Sequence, residues 1–296
     1  MKVGIALPTM AEGFSGPVLR EWCRLVDDGS FSSISTGERI SFFNPEMITT
    51  LAASAALTSR VDVMANLVVA PLHRPAMLAK QLATIDVLSE GRLVVGLGVG
   101  GRPHDYASQG VPFERRHAQV DEMATELRRL WSQEPPFEGA DPVGPIPHQP
   151  GGPPLMAGAM GPASMARAAR WADGVTGFSI TGTPQDYVDA AEQARQAWHD
   201  AGRTESPWLG SGTFCVLGVQ DSLDTLRRFA ATYLGFLGPK IAEAVASGLD
   251  MAEPSRLVAT LDGARAAGLD ELTLVAGTWD LGCIDALADV VDNWRR

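Results

Sequence analysis

The sequence predicts an α/β fold closed into a (β/α)8 TIM barrel, on three observations. Short runs rich in Val, Ile, Leu and Ala alternate with amphipathic helical stretches along the whole chain. The runs are nearly continuous in hydrophobicity, as parallel strands covered on both faces must be. Eight such units in 296 residues match a closed barrel better than an open, doubly wound sheet. The expectation is one domain over residues 1–296, with insertions after the fourth and seventh strands.

Residues 2–7 form the first strand, ending at Pro8-Thr9. Pro17 opens the first helix, whose Leu19, Trp22, Cys23 and Val26 recur at helical spacing. Residues 31–36 are the second strand and run into Gly37-Glu38-Arg39. Asn44 as N-cap and Pro45 at the first helical position predict the second helix, with Ile48, Leu51, Ala52, Ala55 and Ala56 inward. The third strand, 61–70, is apolar except for Asp62 and Asn66. Pro75 opens the third helix, with Met77, Leu78, Leu82, Ile85 and Leu88 on its inner face, and Gly91 ends it. Residues 92–97 are the fourth strand.

A loop from 99 to 115 precedes the clearest helical period in the chain, Val120, Met123, Ala124, Leu127, Leu130 and Trp131. Residues 133–154 hold eight prolines and four glycines and read as an irregular loop. The alternation resumes with a strand at 155–159, a helix opened by Gly161-Pro162, and a strand at 175–179. Thr183-Pro184-Gln185-Asp186 is a capping pattern for the next helix, which buries Tyr187, Ala191, Ala194, Trp198 and Ala201. A strand within 208–218 is followed by helical patterns at 223–234, 239–246 and 254–266. The last strand, 272–276, leads to a final helix with Ile284, Leu287, Ala288, Val291 and Trp294 inward.

In such barrels chemistry sits at the C-terminal ends of the strands. Loop 133–154 runs from helix to strand and therefore belongs to the opposite face. Segments 98–116 and 218–252 run from strand to helix and cap the active face, and 219–252, with Tyr233, Phe236 and Leu237, is expected to be a mobile lid.

Composition excludes several classes. A net charge of −11 argues against nucleic acid and acidic membrane surfaces, and no apolar run approaches a membrane span. Cys23, Cys215 and Cys283 are scattered, which suits a reducing cytoplasm. The five histidines show no ligand spacing, so no metal site is expected. Lys2, Lys80 and Lys240 are poorly placed for a Schiff base. Gly96-Leu97-Gly98-Val99-Gly100-Gly101 fits the dinucleotide fingerprint on paper, but no helix starts on its last glycines, so that reading is rejected. The glycines instead suggest close approach of a flat ring to a strand end. Asn66 is a polar group at the third strand's end, either satisfied by a backbone neighbour or aimed at a ligand. Gly158 to Ser164, small residues before a Pro-initiated helix, suit a phosphate.

The chain resembles the bacterial luciferase-like flavin and deazaflavin oxidoreductases along nearly its whole length. Val3-Gly4-Ile5-Ala6-Leu7-Pro8, Thr36-Gly37-Glu38, residues 79–93 (Ala79-Lys80-Gln81-Leu82 through Gly91-Arg92-Leu93) and Gly110-Val111-Pro112-Phe113 carry the resemblance. Ala157-Gly158-Ala159-Met160-Gly161-Pro162 and Ala172-Asp173-Gly174 look like the subgroup that uses coenzyme F420.

The resemblance implies a ring across the ends of the third and fourth strands and a cofactor phosphate near the helix after the fifth. It also implies a homodimer, and a cis peptide at Ala65–Asn66. The implied cofactor positions are Pro8, Thr36, Ala65, Asn66, Gly98, Val99 and Gly100, with Gly158, Ala159, Met160, Gly161 and Ser164 for the phosphate. Many members carry a His after the Glu that ends the second strand; this chain has Arg39. Glu38 and Arg39 are the candidate catalytic residues, Glu38 or a substrate group as proton donor and Arg39 as a cation for a reduced ring. Arg39, Arg74, Arg102, Arg115 and Arg116 are expected to form a basic mouth for the coenzyme's anionic tail. The expected activity is hydride transfer between coenzyme F420 and an organic substrate. The alternatives are an FMN-dependent monooxygenase and a cofactor-binding protein without turnover.

Overall fold

The computed structural model describes the whole chain, Met1–Arg296. Eight parallel strands close in sequence order: β1 (Lys2–Ala6), β2 (Ser33–Thr36), β3 (Asp62–Val69), β4 (Leu93–Gly98), β5 (Leu155–Gly158), β6 (Gly174–Thr176), β7 (Trp208–Cys215) and β8 (Glu271–Ala276), with β8 paired back onto β1. Around them lie α1 (Gly16–Asp28), α2 (Met47–Leu57), α3 (Pro75–Leu88), α4 (Pro103–Ser108), α5 (Arg116–Trp131), α6 (Pro162–Ala168), α7 (Pro184–Asp200), α8 (Ser222–Leu234), α9 (Pro239–Ser247), α10 (Pro254–Ala266) and α11 (Leu281–Arg295). The predicted barrel is therefore the observed one. No helix is long and apolar enough to cross a membrane.

The amphipathic period places the helices. The buried residues of α1 are Leu19, Trp22, Cys23 and Val26, and those of α5 are the six the period marks. Each apolar side chain so covered stabilises the fold by about 1.5–3 kcal/mol. On α3, Met77 and Leu88 are exposed instead, because the face turned to the barrel is carried by Leu78, Leu82 and Ile85 with Ala79 and Ala83. Ala201 on the turn after α7 is likewise exposed. The three cysteines are buried and unpaired, and burial pushes the Cys23 and Cys283 thiols up to about 11.

Local chemistry differs from the sequence reading at four places. Helix α2 starts two residues later than Asn44-Pro45 implies: Glu46 is the cap, and its carboxylate accepts from the N–H groups of Ile48 and Thr49. A carboxylate holds two free N–H donors better than one amide oxygen does. Thr183 does sit at the N-cap of α7, but its hydroxyl caps nothing, and Asp186 instead accepts from the hydroxyls of Ser179 and Thr181. Loop 99–115 contains α4, opened by Pro103. The cis peptide is Asn66–Leu67, one residue beyond the expected Ala65–Asn66.

The N-terminal end of the barrel is closed by saturated polar groups. Arg92 donates to the carbonyls of Ala55, Thr58 and Val61 and to the Thr58 hydroxyl, at 2.6–3.1 Å. Arg60 donates to the carbonyls of Val26, Asp27, Gly29 and Phe31. Asp86 ties loop 133–154 down through Gln149, by its backbone N–H at 2.9 Å and its side-chain amide at 2.7 Å. That loop lies at the face opposite the site, as its helix-to-strand connection requires. Inside, Glu271 accepts from Ser33, and burial pushes its carboxyl pKa up.

Candidate active site

The C-terminal ends of the strands surround a cavity of about 540 Å³, to which all eight strands contribute side chains or backbone. That volume lies in the range of small-molecule and cofactor pockets.

The floor is made by an irregularity in β3. Its register against β4 runs from Ala65↔Val95 to Val68↔Leu97, so the two residues between, Asn66 and Leu67, are both half-exposed and face the mouth. Asn66 Oδ1 accepts from the Thr176 hydroxyl on β6 at 3.0 Å. The Leu67 side chain lies across the centre. A Cβ on Gly98 would stand 2.8 Å from its methyl groups, and one on Gly158 would overlap them. The strand-end glycines thus make room for Leu67, a protein side chain, where the sequence suggested room for a ring. Gly100 has φ +59°, and a Cβ there would crowd Val69.

One wall is built on Glu38. Its carboxylate is only 3% exposed, with Oε2 accepting from the Val69 N–H at 2.7 Å and Oε1 bonded to His73 Nε2 at 2.8 Å. Glu38 therefore ties the end of β2 to the end of β3; it borders the cavity, with one oxygen holding a backbone N–H and the other shared with the His73 ring. His73 is a partner the sequence reading missed. The signal was available, since both residues follow the ends of paired strands, in register at Thr36↔Ala65.

Arg39 is 7% exposed and lies beneath the lid. Its guanidinium stacks on Tyr233 at 3.8 Å and on Phe42 at 4.6 Å, and Nη2 donates to the Tyr233 carbonyl at 2.6 Å. Nη1 is buried with no partner, and burial pushes the group's pKa down. The lid is α8, a 3-10 turn (Gly235–Leu237) and α9, with Tyr233 and Phe236 lining the cavity. Phe229 and Tyr233 of α8 pack edge-on against Phe214 of β7, at 5.5 and 5.3 Å.

Of the expected basic mouth, Arg39 and Arg102 line the cavity, while Arg74, Arg115 and Arg116 do not. Arg115 pairs with Glu122, and Arg116 stacks on Phe113. Two groups the sequence reading passed over, Arg167 and His117, border the cavity from α6 and α5. Arg167 is paired with Asp121, which also accepts from Trp171 Nε1. Burial, with Arg116 and Arg167 nearby, pushes the His117 pKa down and favours the neutral ring.

Of the implied cofactor positions, Asn66, Gly98, Val99, Gly100, Gly158, Met160 and Ser164 line the cavity. Pro8, Thr36, Ala65, Ala159 and Gly161 do not; Thr36 shares a hydroxyl hydrogen bond with Thr9, itself a lining residue. At the start of α6, the Ser164 hydroxyl accepts from the N–H groups of Met160 and Gly161 and donates to the Gly161 carbonyl. That hydroxyl is spent within the turn. With Pro162 lacking an N–H and Met165 bonded to Gly161, the N–H groups left for an anion are those of Ala163 and Ser164.

The sequence profile of the family described as luciferase-like monooxygenase matches residues 1–294. The chain belongs to the luciferase-like monooxygenase family. Within the family, the pyrimidine monooxygenase RutA of Escherichia coli (strain SMS-3-5) is 30% identical over 270 residues, 79% of this chain and 72% of RutA. An uncharacterised protein of Mycobacterium tuberculosis is 34% identical over 190 residues; the match spans 61% of this chain and 64%, just under two thirds, of that protein. Among solved structures, monooxygenase RslO1 from Streptomyces bottropensis superposes with a TM-score of 0.81 at 22% identity, covering 100% of both chains. The coenzyme F420-dependent tetrahydromethanopterin reductase from Methanopyrus kandleri superposes with a TM-score of 0.78 at 17% identity, covering 99% of both. These two likenesses concern the fold. The proteins this chain resembles thus include monooxygenases and a coenzyme F420-dependent reductase.

Proposed function

We propose that this family member transfers hydride between coenzyme F420 and a small organic substrate, working as a homodimer in the cytoplasm. The observation that carries the choice of cofactor is the wall at the end of β2. Where many relatives offer a histidine, this chain has a buried arginine, and the adjoining Glu38 carboxylate, at the cavity edge, has both oxygens engaged by His73 and Val69. A wall without a free acid–base group suits a reaction of modest proton demand. The run from Ala157 to Pro162 supports the same choice.

The residues present fit such a group. A wide, largely apolar cavity with Leu67 as floor accepts a flat heterocycle, and the Ala163 and Ser164 N–H groups are free for a phosphate. When bound, the deazaflavin supplies a hydride-accepting carbon and little reactivity with oxygen. The protein supplies binding, orientation and exclusion of water. Leu67 and Val99 would support the ring, Asn66 is held in place by Thr176, and Tyr233 and Phe236 line the cavity from the lid.

A second reading, an FMN-dependent monooxygenase, is favoured by the likeness to RutA, the pyrimidine monooxygenase. Direct titration of the purified protein with F420 and FMN, oxidised and reduced, at low and physiological salt, separates the two. Micromolar binding of F420, followed by single-turnover oxidation of its reduced form by a substrate, is expected. Micromolar FMN binding with no F420 binding would overturn the proposal in favour of the second reading.

A further inference from the structure

The charges around the cavity are unevenly partnered. Three acids line it, and each is engaged: Glu38 by His73 and Val69, Asp121 by Arg167 and Trp171, and Asp105 by Ser41 and the N–H of Ile40. Of the three lining arginines, Arg167 has its carboxylate. Arg102 reaches Asp105 only at 3.7 Å, and its Nε is buried without a hydrogen-bond partner. Arg39 has no carboxylate within salt-bridge reach, and its Nη1 is also buried and unpartnered. Both guanidiniums lie over the same ring, Phe42, at 4.6 and 5.1 Å. Two open donors on neighbouring cations, walled by aromatic rings, are a costly arrangement until an anion arrives.

We infer that Arg39 and Arg102 form a specificity subsite for a carboxylate on the substrate, so that the substrate is an organic acid with an apolar body. The inference rests on the reading of this cavity as a substrate-binding site. Arg39 is covered by Tyr233 and Phe236, so the anion is met as the lid yields. The 3-10 turn that carries Phe236 has no buried residue, and Phe236 and Leu237 are 39% and 41% exposed. The guanidinium, flat and permanently charged, offers the parallel donors a carboxylate fits.

The test uses the chain without cofactor, so it stands whether or not F420 binds. Phenylacetate and phenylacetamide are titrated by calorimetry against wild type, Arg39→Gln and Arg102→Gln, and the arginine Nε–Hε signals are followed by NMR. Wild type is expected to prefer the carboxylate at least about tenfold, as a charge-assisted pair should. The preference should disappear in Arg39→Gln and shrink in Arg102→Gln, with unchanged phenylacetamide affinity showing that each variant keeps its pocket. Equal binding of acid and amide by wild type, or an undiminished preference in Arg39→Gln, would overturn the inference. A parallel titration with the deazaflavin ring with and without its oligoglutamate tail addresses the other source of carboxylate. A tail effect that Arg39→Gln abolishes, with no phenylacetate preference, would assign the arginines to the cofactor and also overturn it.

Discussion

The two ends of the barrel use arginine in opposite ways. At the N-terminal end, Arg60 and Arg92 each make four hydrogen bonds to protein acceptors, all but one of them backbone carbonyls. At the C-terminal mouth, Arg39 and Arg102 each donate to one backbone carbonyl and keep a buried nitrogen unpartnered. The closed arginines bind together chain ends that would otherwise leave carbonyls bare. The open ones hold binding capacity in reserve, at the face where such barrels place their chemistry.

The contrast can be broken most directly at Arg92. Arg92→Ala strips partners from three carbonyls at once, and a loss of about 3 kcal/mol is expected, measured by urea denaturation. A loss below about 0.5 kcal/mol would mean the saturated end is no more structural than the surface. A smaller effect is expected from the floor. Gly158→Ala drives a methyl group into Leu67, for about 1–2 kcal/mol of overpacking and weaker cofactor binding. Leu67→Ala in the same chain should relieve that overlap, so the double variant is expected to lose less stability than the two single changes summed, and additive losses would show that the two residues do not share the space.

At the mouth, Arg39→Gln should change stability by less than about 1 kcal/mol. Removing a buried charge with an open donor offsets the lost stacking and the lost bond to Tyr233. A loss as large as that of Arg92→Ala would erase the difference between the two ends. The smallest effect concerns Glu271, whose pKa is raised by burial despite its bond to Ser33. In the window from the unfolded carboxyl value up to the raised one, the folded chain holds the proton more tightly. Stability should therefore fall as pH rises through that window. Glu271→Gln, which cannot ionise, should flatten that part of a stability–pH curve. An unchanged slope would mean that the group is not responsible.

How much of this was legible depended on range. The amphipathic faces of α1 and α5 were readable residue by residue, because a helix buries one stripe whatever covers it. The position of the cavity followed from strand order, as did the sorting of loops 98–116 and 218–252 to the active face. The roles of Glu38 and the glycines did not follow. Glu38 could be seen at a strand end, but its oxygens are taken by His73 and Val69, more than thirty residues away. Gly98 and Gly158 were correctly placed at the mouth, yet the side chain that requires them to be glycine, Leu67, is turned toward them by a shift of register in β3.

The sequence by itself determined the eight-fold alternation and the family, since these rest on periodicity and on short runs of neighbouring residues. Tertiary structure alone decided which charges are satisfied. Arg60, Arg92, Arg39 and Arg102 are the same residue type, each near the end of a strand. Whether a guanidinium finds carbonyls or an open cavity depends on which distant segments the closed barrel brings within hydrogen-bond distance of it.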